Sequence, residues 1–93
     1  MPSLPKDEFR LQLFFSHLAS PEFRIQLLHD QLSQHLDRLD YLKEDMEKFT
    51  TLPPVDDELF TDYLVLSGGI AREEAMCDWL KNCIRLCKSR STL

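Results

Sequence analysis

Three cysteines, three histidines and one tryptophan are the residues of this chain best suited to chemistry. Cys83 and Cys87 stand four residues apart, a spacing that puts two side chains on one face of a helix. They are candidates for thiol ligands or a redox pair. The plainer reading is that Cys77, Cys83 and Cys87 are small hydrophobes in a helical core. His35 falls among leucines at helical spacing. Histidine titrates near neutrality, so one reading is a pH-sensitive interface. The other, adopted here, is a hydrogen-bonded histidine that fixes helix register. Trp79, Phe14, Phe15 and Phe60 could line an aromatic pocket, but at helical spacing in so small a chain they read as core. A di-iron site would need Glu-x-x-His on two helices, and none of His17, His29 or His35 has an acid three residues before it. A Gly-rich phosphate loop and a Cys/His pair at zinc spacing are also missing. No catalytic, metal-ligating or cofactor-binding residue is assigned, and no enzyme is expected.

The elements carrying these residues are organised around Ser20 to Phe49. Its single proline is Pro21, at the first helical position, and Ser20 is a good N-cap. Ile25, Leu28, Leu32, His35, Leu39, Leu42, Met46 and Phe49 recur at steps of three and four, a heptad seam. A helix of that span is about 45 Å long. A compact domain of this length has a radius of gyration of roughly 12 Å, so the helix outruns it. The seam needs a partner, either the chain's own C-terminal helix or a second copy. These eight residues are the expected dimer interface.

The expected fold is all-α: a short helix over 7–18, a long coiled-coil-like helix over 20–49 and a long C-terminal helix over 57–88. They form one helical dimerisation domain over 7–89, after a lead-in over 1–6 and before a frayed tail over 90–93. The short helix carries Leu11, Phe14, Phe15 and Leu18 on one face and must pack on something, being marginal alone. Pro53-Pro54 stops the long helix, and the short connector suits antiparallel neighbours. Asp56 is the expected cap of the last helix. That helix has one stripe through Leu59, Tyr63, Leu66, Ile70, Cys77, Leu80, Ile84 and Cys87, broken only by Glu73. A second stripe gives a further packing surface of Phe60, Met76, Trp79, Cys83 and Leu86. Gly68-Gly69 in its middle implies a kink or a close backbone approach.

Ninety-three residues, 43% apolar and 29% charged, suit one small folded domain. A net charge of −5 argues against direct contact with nucleic acid. The cations Lys81, Arg85, Lys88 and Arg90 collect near the last helix's C-terminus, where they complement the macrodipole. No apolar run reaches the roughly 20 residues of a membrane span, and no signal peptide is visible. An odd number of cysteines in one helical segment suits a reducing cytoplasm.

Three segments resemble one family. Asp7 to Leu18, "DEFRLQLFFSHL", is similar to the opening helix of the C-terminal, virulence-activator-type domain of PadR-like transcriptional regulators. Ser20-Pro21-Glu22 with the Leu-rich helix after it resembles the second element. Tyr63 to Leu80, "YLVLSGGIAREEAMCDWL", resembles the third, with its mid-helix Gly and its Asp78-Trp79-Leu80 ending. The resemblance covers nearly the whole chain. It implies a homodimerising, effector-type domain that reaches DNA through a linked winged helix, with no membrane partner and with a small aromatic effector in some members. No ligand motif carries over to particular residues. Only Met1 to Lys6 precede the first helix, so the expectation is a fragment of a longer regulator or a protein lacking its DNA-binding part. The alternatives are a stand-alone helical adaptor and a small-ligand-binding helical protein.

Overall fold

The computed structural model describes residues 6–91; Met1–Pro5 of the expected lead-in and the last two residues of the expected tail lie outside them. The order is α1 (Lys6–Phe14), a 3₁₀ turn (Phe15–Leu18), α2 (Pro21–Met46) and α3 (Glu58–Ser91). No strand occurs among the described residues, and the fold is all-α.

Local chemistry sets each boundary. The first helix tightens to 3₁₀ after Phe14 because polar side chains bond back to its last carbonyls. Ser16 Oγ donates to the Leu13 carbonyl at 2.6 Å, and His17 Nδ1 lies 3.1 Å from the Phe14 carbonyl. Such back-bonding competes with the α-helical ladder. Ser20 has extended backbone and caps α2, its Oγ accepting from the Phe23 N–H at 3.2 Å. The α-helix stops at Met46, three residues short of the expected end. The N–H groups of Glu47, Lys48 and Phe49 bond three residues back, to the carbonyls of Glu44, Asp45 and Met46, so the last turn tightens toward the prolines. Asp57, not Asp56, caps α3: its Oδ1 accepts from the Leu59 N–H at 2.9 Å. Leu59 is at N2, one of the two positions whose N–H a capping carboxylate takes up.

α2 and α3 form an antiparallel hairpin. Phe49 meets Tyr63 edge to face at 5.5 Å, Leu42 approaches Gly69, His35 meets Glu73, and Ile25 lies across from Cys87. Residue number falls along α2 as it rises along α3, so the register is fixed along the whole pair. The molecule is a rod of 55 × 24 × 20 Å with a radius of gyration of 17.1 Å. The expected conflict between a long helix and a compact domain therefore does not arise. α3 is long as well, and it lies along α2.

α1 docks at the open end of the hairpin. Phe9 enters the core with Leu27, Leu28, Leu80 and Ile84, and Leu13, Leu32, Met76, Cys83 and Cys87 pack around them. Arg24 Nε donates to Ser16 Oγ at 2.7 Å and pins the 3₁₀ turn to α2. α3 passes through Gly68-Gly69 as continuous helix, with neither glycine at positive φ. The close approach there is the Leu42 side chain, 3.4 Å from where a Gly69 Cβ would stand.

Candidate functional site

Midway along the rod the apolar seam is interrupted on both helices at the same level. His35 of α2 is buried at 5% exposure and meets Glu73 of α3. Gln31, one turn earlier on α2 and also buried, has its Nε2 3.3 Å from His35 Nε2. Arg38 Nη1 donates to the other Glu73 oxygen at 3.1 Å. An amide nitrogen only donates, so His35 Nε2 accepts. The ring proton therefore sits on Nδ1, which donates to Glu73 Oε2. The contacts run as one chain: amide to imidazole, imidazole to carboxylate, guanidinium to carboxylate.

The electrostatics follow from the geometry. Burial works to raise the Glu73 carboxyl, but hydrogen bonds from His35 and Arg38 outweigh it and hold the group below its ordinary value. Glu73 thus stays charged, its charge answered by Arg38 at the rim. A buried polar cluster facing another across a helical interface favours one register, because any slip leaves it unpaired.

Two shallow hollows flank the cluster. One of about 280 Å³ lies between α1, α2 and α3 and is lined by Phe9, Arg10, Gln31, His35, Met76 and Trp79. The other, about 340 Å³, adds Arg72 and Glu73 to the shared His35, Met76 and Trp79. Trp79 is half exposed over both. Neither lining includes a Ser, Thr, Cys or Lys, and no group of three metal-ligating side chains occurs among the described residues.

The eight seam residues, seven on α2 and Phe49 just beyond it, all meet the hairpin rather than standing clear of it. Leu28, His35 and Leu39 are buried within the single chain; Ile25, Leu32, Leu42, Met46 and Phe49 are half-buried. In this arrangement α3 lies along the seam within the single chain. Of the second surface, Phe60, Met76 and Cys83 are half-buried, while Trp79 and Leu86 are exposed. Gln31, Arg38 and Glu73 were not singled out as partners of His35. The usable signal was that Glu73 breaks the α3 stripe as His35 breaks the α2 seam.

Cys77 is buried, and burial with nearby Glu73 pushes its thiol up. Cys83 is half-buried and is pushed up by burial, with Cys87 adding to it. Large apolar side chains are left outward toward both ends of the rod: Leu11, Phe14, Phe15, Leu18 and Phe23 at the α1 end, with Leu18 at 76% and Phe14 at 71%, and Leu52, Val55, Leu59, Leu64 and Val65 toward the connector.

A helical hairpin with a short N-terminal helix docked at its open end, and a polar register lock at its centre, defines an all-helical packing module. The chain belongs to the family described as virulence activator alpha C-term, whose family model matches residues 5–88. Neither the curated proteins nor the solved structures give a match.

Proposed function

We propose that this chain is the dimerisation domain, and the effector-sensing part, of a PadR-like transcriptional regulator that reaches DNA through a linked winged helix. Membership of the virulence-activator C-terminal family supports the reading. The observation that carries it is the apolar α1 end of the rod, where aromatic side chains dominate the exposed apolar surface. Leu11, Phe14, Phe15, Leu18 and Phe23 fall within thirteen consecutive residues and are left to solvent by a single chain. A grouping of that kind marks an interaction site in a well-folded protein. A two-fold contact through one such patch is self-complementary. In a regulator of this type the rigid hairpins set the distance between two winged helices on a two-fold operator. The acidic chain itself stays off the DNA.

The test is the mass of the chain by light scattering behind a sizing column, over a dilution series. The expected result is twice the 11.0 kDa chain mass, reduced to one chain by Phe14→Glu with Leu18→Glu while helical content stays the same. A wild-type chain that is monomeric throughout overturns the reading, and a stand-alone adaptor then takes its place.

A further inference from the structure

We infer that Cys83 and Cys87 form a two-thiol site for a trivalent arsenical that carries one organic group. The inference is independent of the dimerisation reading. Both cysteines lie on one face of α3, half-buried and reduced, at the edge of the core. Side chains at this spacing have Cβ atoms about 5–6 Å apart. A disulfide needs about 3.5–4.5 Å, so the pair does not close on itself within a regular helix. One large bridging atom spans the gap.

The surroundings select the kind of atom. A metal ion takes thiolates and normally further ligands, and no third ligating side chain joins the pair among the described residues. Burial also pushes the Cys83 thiol up, which disfavours giving up its proton. Trivalent arsenic asks for neither. In R–As(OH)₂ two As–O bonds break and two As–S bonds form. Each thiol proton leaves with a hydroxide as water, and arsenic stays trivalent. The third position keeps its organic group, and the structure has room for it. Cys87 opens into a hollow of about 360 Å³ between the start of α2 and the end of α3, walled by Pro21, Ile25 and Leu86 with Arg24 and Arg90 at the rim. An aryl or alkyl group would lie against the apolar wall.

The probe is phenylarsine oxide, added to the reduced full chain under native conditions. The expected product holds one phenylarsenic per chain and loses two of its three titratable thiols. It should resist a monothiol and be stripped by a dithiol. Tryptic cleavage places Cys83 in Asn82–Arg85 and Cys87 in Leu86–Lys88, so arsenic should join these two peptides. Cys77→Ala should bind as the parent does; Cys83→Ser and Cys87→Ser should lose dithiol-specific retention with helical content unchanged. The peptide mapping reads the wild-type adduct and stands even if a variant misfolds. No adduct on the folded chain, or arsenic mapped to Cys77, overturns the proposal.

Discussion

At the scale of single residues, Glu73 decides most. Its carboxylate joins α3 to two residues of α2 and is held below the ordinary value of 4.5. A carboxyl depressed by folding contributes stability that is full above its unfolded value and fades as pH falls through the folded one. The chain should therefore lose stability from about pH 4.5 downward, and part of that loss belongs to Glu73. Glu73→Gln keeps an acceptor for His35 but gives up the charge, which should cost about 1–2 kcal/mol near neutrality. Below the carboxylate range the variant and the parent should converge. Urea unfolding from pH 7 to pH 3 measures both, and a gap that stays constant with pH would refute the assignment. Glu73→Leu should be worse than Glu73→Gln at pH 7, by about 1–3 kcal/mol, because it strands the buried His35 donor. A smaller loss for Leu would mean that the pair contributes register and not stability.

At the scale of elements, the glycines of α3 offer a clean test. Gly68 and Gly69 sit in unbroken helix at ordinary negative φ, so neither is required by the backbone. A Cβ on Gly68 would meet only Arg72 Nη1, at 3.6 Å. Gly68→Ala should then stabilise the chain by about 0.8–1 kcal/mol through helix propensity alone. Gly69→Ala should gain less, since Leu42 Cδ1 stands at 3.4 Å and must yield slightly. Thermal melts of the two variants rank them, and the reverse order would place the close approach elsewhere. The core answers differently. Leu28 and Leu80 are essentially fully buried, and either one changed to Ala should cost about 2–5 kcal/mol. The three helices, the Ser20 cap and the proline stop were all legible in the sequence, because each rests on local chemistry. The partner of the seam was not. A heptad pattern says that a face is apolar and leaves open which helix covers it. The answer lay in one pairing: His35 and Glu73 are the polar breaks in their stripes, and only an antiparallel hairpin of this register brings them together. Leu11, Phe14, Phe15 and Leu18, the face expected to pack, stand exposed, and of the apolar residues of α1 Phe9 and, in part, Leu13 turn inward. Periodicity marked α1 as amphipathic without saying how far around its apolar surface the neighbours reach.

At the scale of the whole molecule, burial is uneven along the rod. Phe9, Leu27, Leu28, Leu80 and Ile84 make a closed core at the α1 end, and the His35–Glu73 cluster lies at mid-length. Toward the connector the packing thins to the half-buried Met46, Phe49, Phe60 and Tyr63. Local opening follows such differences, so amide exchange should be slowest through residues 27–39 and 66–84 and fast from 47 to 57. A second copy seated on the apolar α1 end would change this pattern in one place. It would slow the 3₁₀ turn and the first turn of α2, which a single chain leaves in water. Phe14→Glu with Leu18→Glu should release those amides and leave the hairpin amides as they were, because the hairpin's core draws nothing from the partner. If the double variant instead speeds exchange along both long helices, the hairpin holds only within the dimer. The interface would then belong to the fold itself, not to one end of a rod that folds alone.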